Sequence, residues 1–416
     1  MKITLLSYED SGGGAGRAAL KLQHALEDFG VDSKLRVARK RTDQNNVIGH
    51  SSLLQKISRN LNEYISNSFI NRNQSINSGF KSLTIIPNRI DHELNNSDTD
   101  IIQLNWISGL ISIAEIARLK KPLVWRLSDM WAFSGVEHYV NTKNDFLWRR
   151  GLNFKNKTSK SLLIDFDRWA WRKKKQSWKN PINIVTPSKW LADCVKESEL
   201  MHNWPVTVIP TAINTNLFKP FPKQVARDLF ELPKNRKIIL FGALGGGKDL
   251  RKGKDFLMSA LKLVSKNYPD AIGVIFGESQ PINPPRLGMP LYWVGHLNDD
   301  VSLAILYSTA DVMVIPSRQD NLPQTGVEAQ CCGCPVVTFN ASGLPDLIEH
   351  KLTGYLARAH DVKDLANGIE WVINNKNRQS KLSHRSRQRA CLIWSKDVVV
   401  SKYLDLYKEI LEKNNN

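Results

Sequence analysis

Cysteine is scarce in this chain, 5 in 416 residues, and the five are odd in number and unevenly placed at Cys194, Cys331, Cys332, Cys334 and Cys391. That pattern does not describe a disulfide framework. Cys331 and Cys334 form a C-x-x-C, yet no second pair or nearby histidine supplies the other ligands of a closed zinc site, which leaves small-residue packing as the main expectation. Long apolar runs are also missing. No stretch of about 18 apolar residues occurs, and no early segment joins a basic start to an apolar run of signal-peptide length. The expected location is therefore cytoplasmic. Acidic residues are in deficit, 40 against 58 Lys and Arg, and the net charge of +18 predicts an anionic partner: nucleotide phosphates, an acidic membrane face or nucleic acid. What the chain does have is 42% hydrophobic and 24% charged residues. It is too apolar for disorder and long enough for two α/β domains of about 200 residues each.

The richest stretch runs from Asp311 to Asp346, DVMVIPSRQDNLPQTGVEAQCCGCPVVTFNASGLPD. Two apolar runs, Val312 to Ile315 and Val336 to Phe339, flank a helix-length segment, which predicts a βαβ unit with parallel strands. Ligands of such sheets bind at the carboxyl ends of the strands, so Asp320 and Glu328 are candidate site residues facing that crevice.

Along the chain, a strand at Lys2 to Ser7 leads into a glycine-rich loop and a helix with Ala18, Leu22, Ala25 and Leu26 on one face. Glycines 12, 13, 14 and 16 would admit a ligand close to the backbone. Gly14-x-Gly16-x-x-Ala19 loosely satisfies a dinucleotide fingerprint, but no acidic residue ends the second strand, Ser33 to Val37. Residues 38 to 99 are polar, with a helix legible near Leu53 to Ile65. Strands at Asp100 to Leu104 and Leu123 to Leu127 are joined by a helix at Ile107 to Leu119. The second of these strands ends in Ser128 and Asp129, where an α/β sheet places polar groups. Trp148 to Lys179 holds eleven Lys and Arg against two Asp, interleaved with Trp169, Trp171 and Trp178. Such a stretch suits a membrane interface or single-stranded nucleic acid, and equally a helix whose tryptophans pack inward. After a proline-bearing linker at Leu217 to Lys223, the α/β pattern restarts at Lys237 to Phe241. GALGGGKDLRKGKDF follows, with Lys248, Arg251, Lys252 and Lys254 around a helix start near Gly253, which suits a diphosphate cradle and also a solvated basic loop. The tail from Asp361 onward is helical.

With these pieces in place the chain resembles glycosyltransferase family 4, retaining enzymes of the GT-B architecture, nearest the colanic-acid and exopolysaccharide type. The resemblance rests on SRQDNLPQTGVEAQCCGCPVV, SGGGAGRAA, VWRLSDMWAFSGVEHY, TPSKWLADCVKES, VIPTAINTNLFKP, RKGKDFL and HKLTGYLA. It implies an α/β fold of two Rossmann-like domains facing across a cleft. The acceptor-side domain would be residues 1–218 with the C-terminal helix 396–416 crossing back to it, and the donor domain 224–395. The E-x7-E motif of the family falls on Asp320 and Glu328. By that resemblance Glu328 holds the ribose hydroxyls, Asp320 the donor sugar, and Lys252 the departing diphosphate. Gly343 and Leu344 form the turn near phosphate or sugar, Gly13 and Gly14 lie across the cleft, and Asp129 joins Asp320 and Lys252 as catalytic.

The implied donor is a UDP- or GDP-linked sugar, used without a metal or other cofactor. The implied acceptor is a cell-surface glycan or its lipid-linked precursor, with an anionic membrane surface as partner through 148–179, on the inner face of the plasma membrane, and no nucleic acid. Four departures from the family pattern stand out. Ser128 occupies the usual histidine position, Asp320 replaces the first glutamate, Ala243 replaces the phosphate arginine (for which Arg251 or Lys248 would substitute), and Gln103 and Asn105 stand where relatives show histidines. They keep a second reading open, a catalytically impaired GT-B protein that binds nucleotide sugar or glycan as a partner subunit.

Overall fold

The computed structural model describes residues 1–50, 52–72, 81–140, 147–151, 165–242 and 249–415. The chain divides into two compact units, Met1–Thr211 with Val400–Asn416, and Ala212–Val399.

In the first unit, β1 (Lys2–Glu9), β2 (Asp32–Arg39), β3 (Val47–Ile48), β4 (Ile101–Leu104), β5 (Leu123–Arg126), β6 (Asn183–Thr186) and β7 (Val206–Val208) form one sheet in the order β3-β2-β1-β4-β5-β6-β7. Each neighbouring pair is parallel. Parallel strands covered on both faces read as apolar runs rather than alternations, and all four residues of β4, Ile-Ile-Gln-Leu, are buried. The helix Gly14–Asp28 lays Ala18, Ala19, Leu22, Ala25 and Leu26 inward, the face that the 3.6-residue period defines. Trp125 packs edge-on against Trp178 at 5.1 Å and tilts toward Trp131 at 6.4 Å. The C-terminal helix Lys396–Asn415 ends in this unit, where Tyr403 and Tyr407 are fully buried and the Tyr407 hydroxyl donates to Gln103 of β4.

In the second unit, β8 (Ile238–Gly242), β9 (Ile272–Phe276), β10 (Leu291–Gly295), β11 (Val312–Ile315), β12 (Val336–Phe339) and β13 (Gly354–Ala357) run in the order β10-β9-β8-β11-β12-β13, again parallel. The chain winds outward from β8 through β9 and β10, then returns to lay β11, β12 and β13 on the other side. The β8/β11 pair is thus the topological switch point, where loops diverge and leave a crevice.

The paired strands around Asp320 have the boundaries the sequence pattern predicts. Three other expectations change. The helix expected over 107–119 shrinks to Ile113–Ile116, because Ser112 caps it in a reciprocal box with Glu115 and the chain before that cap runs as turns. Strands β3 and β13 were not anticipated. In the tryptophan-rich stretch, of which residues 152–164 lie outside the described set, Trp148, Trp171 and Trp178 are core, and Trp169 is exposed at 37%. Lys174 is buried with them. Its ammonium sits 3.8 Å from the Trp131 ring centroid and donates to the carbonyls of Trp131, Ser134 and Gly135. All five cysteines are free thiols, and burial pushes that of Cys334 up to about 12. Among the described residues no helix is long and apolar enough to cross a membrane.

Candidate active site

Loops leave the carboxyl ends of β8, β11 and β12 on either side of the switch point. After β8 the described chain resumes at Asp249, whose carboxylate accepts the Arg251 amide at 3.0 Å and the Arg251 guanidinium at 2.9 Å. The turn ends at Gly253, with φ 69°, where a Cβ would stand 1.9 Å from the Pro316 carbonyl oxygen. Only glycine allows this turn to seat on the loop after β11. The seating brings the Lys252 ammonium to 2.7 Å from Asp320 Oδ2, with Arg251 Nη1 at 3.5 Å from Oδ1. The Ser317 hydroxyl and the Asn321 amide also donate to the Asp320 carboxylate, at 3.3 and 3.0 Å. Its backbone is fixed too: the Asp320 amide donates to Ser342 Oγ at 2.9 Å, and the Gly343 amide to the Asp320 carbonyl at 2.9 Å.

Asp320 is 6% exposed. Burial alone raises a carboxyl pKa, but the Lys252 and Arg251 charges outweigh it and hold Asp320 below the usual carboxylate range. The result is a buried carboxylate under two cations that keep part of their surface in solvent. Asp249 also pairs with Arg251, so two carboxylates balance the two cations, and what the cluster offers an anion is the N–H donors of Lys252 and Arg251; the Asp320 carboxylate is a pure acceptor for hydroxyl groups.

Glu328 lies on the helix Gln324–Cys331, is 2% exposed, and accepts the Tyr307 hydroxyl at 2.9 Å. The Gly343 and Leu344 amides sit in the turn after β12 and both donate within it or to its neighbour, Gly343 to Asp320 and Leu344 to the Ala341 carbonyl at 3.2 Å. Lys248 lies outside the described residues. The second unit therefore brings together Asp320, Lys252, Arg251 and the Gly343 turn, with Glu328 anchored separately by Tyr307. Asp249, Ser342 and Tyr307 escape sequence reasoning. Asp249 was within reach, two positions before the arginine it orients. Nothing in the order of residues pairs Tyr307 with Glu328, 21 positions apart on another helix.

Asp129, Gly13 and Gly14 belong to the first unit. Gly13 precedes the helix Gly14–Asp28, and the loop folds so tightly onto the end of β1 that a Cβ on Gly16 would meet the Glu9 carbonyl oxygen at 2.7 Å. Glu9 pairs with Arg41 at 3.0 Å; burial raises its carboxyl in spite of that cation. Asp129 accepts the Trp131 amide at 3.0 Å and stands 2.6 Å from His138 Nδ1, while His138 Nε2 is 2.8 Å from Ser82 Oγ. His138 is 2% exposed and stacks on Trp131. It lies inside the segment that carried the family resemblance, yet its pairing with Asp129 becomes visible only in three dimensions. Among the described residues no group of three or more His, Cys, Asp or Glu is placed to hold a metal ion.

Two parallel sheets in one chain, each flanked by helices, define the GT-B class, a pair of Rossmann-like domains. Residues 225–389, the body of the second unit, match the family model of glycosyl transferases group 1. A D-inositol 3-phosphate glycosyltransferase of Thermobispora bispora is 28% identical over 249 residues, 56% of this chain and 56% of that protein. The chain spans about half the length of the curated relatives it matches. Among solved structures, sucrose-phosphate synthase from Thermosynechococcus elongatus superposes with a TM-score of 0.70 at 18% identity, covering 99% of this chain and 100% of that one. The Anabaena protein HepE in complex with UDP and glucose does so with 0.63 at 16% identity, covering 98% and 99%.

Proposed function

We propose that the protein is a retaining glycosyltransferase that moves a sugar from a nucleotide diphosphate sugar to a cell-surface glycan under construction, an exopolysaccharide, capsule or O-antigen, carried on a lipid-linked acceptor. The observation that carries this reading is the Asp320, Lys252 and Arg251 cluster at the switch point of the sheet that matches the group 1 family model. UDP in the HepE complex and the glycosyltransferase relatives support the nucleotide-sugar class.

In this reading Lys252 and Arg251, with Lys248 three positions before the arginine in sequence, take the diphosphate, and their charge is worth most where the leaving group turns anionic. Asp320 accepts hydroxyls of the donor sugar, Glu328 those of the ribose, and the Gly343–Leu344 turn lies against the phosphate or sugar. Gly13 and Gly14 are donor-binding in this reading, by the family resemblance. The bond between the anomeric carbon and the β-phosphate oxygen breaks, the acceptor oxygen bonds to that carbon from the same face, and the acceptor proton passes to the departing phosphate. Asp129 is the third catalytic residue of this reading, its carboxylate 2.6 Å from His138 Nδ1.

The inward engagement of the Gly343 and Leu344 amides, together with Ser128 in the usual histidine position, favours the second reading, nucleotide-sugar binding without turnover. A thermal-shift screen over UDP- and GDP-sugars, followed by donor hydrolysis and transfer assays with Glu328→Ala as control, separates the two. A ligand that binds only the folded state raises the melting temperature. Stabilisation with turnover supports the transferase, stabilisation without turnover the binding subunit, and no stabilisation by any nucleotide sugar rejects the transferase and limits the partner subunit to glycan binding.

A further inference from the structure

The helix Leu53–Arg72 turns Ser58, Asn62 and Ser66 to the protein and, apart from Ile65, which packs near Leu83, leaves a row of apolar residues outside. Leu54, Ile57, Leu61 and Tyr64 follow the spacing of a single helical face. They are exposed at 74, 45, 46 and 71%, with Leu53 beside them at 72%. Single exposed apolar residues are ordinary, but a continuous row is not.

The inversion has a local cause. Residues 82–89 run beneath the helix outside the strands of the sheet, so their backbone groups need partners. Asn62 accepts the amides of Ile85 and Ile86 at 3.3 and 3.0 Å and donates to the Ile86 carbonyl at 3.0 Å. Ser58 donates to the Pro87 carbonyl at 3.0 Å, and Ser66 accepts the Leu83 amide at 3.1 Å. Glu63 accepts the Tyr8 hydroxyl and pairs with Arg39, at the carboxyl ends of β1 and β2. With Ser58, Asn62, Glu63 and Ser66 committed inward, Leu54, Ile57, Leu61 and Tyr64 face out.

We propose that this face docks the protein on an anionic phospholipid surface. The charge around it chooses that occupant. Between residues 34 and 93 there are ten Lys and Arg against four Asp and Glu. Of the four, Glu63 pairs with Arg39, Glu93 with Arg36 and Asp91 with Arg118, whereas Lys40, Lys56 and Arg89 are exposed. Cations beside an apolar stripe suit anionic headgroups over acyl chains. A second copy of the chain would bring the same positive charge to the contact and be repelled. The surface is distinct from the tryptophan-rich stretch, where Trp148, Trp171 and Trp178 are spent on the core. Docking itself does not depend on the transferase reading. The use it would serve, holding the carboxyl end of the first sheet beside a lipid-linked acceptor, rests on that reading.

The test is sedimentation of the full chain with vesicles of phosphatidylcholine alone or with about a third phosphatidylglycerol, no nucleotide sugar being present. The wild type is expected on the anionic vesicles only, with binding that falls as salt rises. Leu54→Gln, Ile57→Gln and Leu61→Gln combined should lower the partition coefficient about tenfold or more at an unchanged melting temperature, while Trp169→Gln leaves it within about twofold. The milder pair Ile57→Ala and Tyr64→Ala reads the same stripe should the triple variant not fold. Absence of wild-type binding, equal binding by the stripe variants, or a stripe-dependent dimer in sedimentation velocity would each overturn the proposal. Because no turnover is measured, failure here leaves the transferase reading intact, and loss of activity on soluble donor leaves docking intact.

Discussion

Asp320 and Asp129 each follow the end of a parallel strand, one in each unit, and they are held by different kinds of partner. Asp320 is neutralised by Lys252 and Arg251, two long side chains that remain 22 and 23% exposed and could share their charge with an incoming phosphate. Asp129 is tied to a backbone amide and to His138, an imidazole packed against Trp131 and bonded to Ser82. One arrangement leaves its counter-charges available to a ligand, and the other spends its contacts on holding a ring in place. Position at a strand end is thus shared by the two aspartates; the kind of partner that holds each carboxylate separates them.

Lys252→Ala should give the largest effect. Donor turnover is expected to fall by roughly 10²- to 10³-fold, as for removal of a group aimed at transition-state charge. Asp129→Asn breaks the comparison from the other side. It weakens a charge-assisted bond in a buried network, and the expected loss is about 2 kcal/mol of stability, seen as a melting temperature lower by roughly 5 °C. Turnover per folded molecule should change less than in Asp320→Asn, and a larger fall would move Asp129 to direct contact with substrate. Tyr307→Phe removes one hydrogen bond to Glu328, worth about 1 kcal/mol, so donor KM should rise by roughly fivefold with kcat held.

The pH dependence sharpens the contrast further. Asp320 has a lowered pKa in the folded state, so its pairing stabilises the protein above the ordinary value of 3.8 and that contribution is lost as the pH falls through the lower folded value. Asp320→Asn should flatten this acid limb of a urea-melt series. His50, in the first unit, is buried beside Arg36 and Arg59 and its pKa falls to about 4 from 6.5. The folded state then binds fewer protons than the unfolded one between those values, and stability should decline as pH drops from 6.5 toward 4. His50→Gln should remove that slope.

Much of the second unit was readable because its signals are local. The β11 and β12 runs are continuous apolar stretches buried on both faces, Gly253 marks a turn, and the Asp320 and Glu328 spacing falls on a loop and the helix after it. The first unit depends on partners far apart in the chain. Ser112, not the apolar pattern from Ile107 onward, decides where the short helix begins. The inward face of the helix Leu53–Arg72 is polar because Asn62 and Ser66 meet the backbone near Leu83 and Ile86, about 20 positions away. Trp171 and Lys174 carry the composition of an interface, yet they are buried, since the carbonyls of Ser134 and Gly135 that receive Lys174 are some 40 positions earlier in the chain. Hydrophobic periodicity finds elements; it does not say which face of an element finds a neighbour.

The central claim is that Asp320, under Lys252 and Arg251, receives the donor sugar. Its most direct test is donor turnover by Asp320→Asn, with whichever UDP- or GDP-sugar stabilises the wild type most, alongside the melting temperature of the same variant. The account predicts a fall in turnover of about hundredfold, measured per folded molecule at a temperature below the variant's own melting transition, which the lost pairing lowers. Wild-type turnover by Asp320→Asn would contradict it.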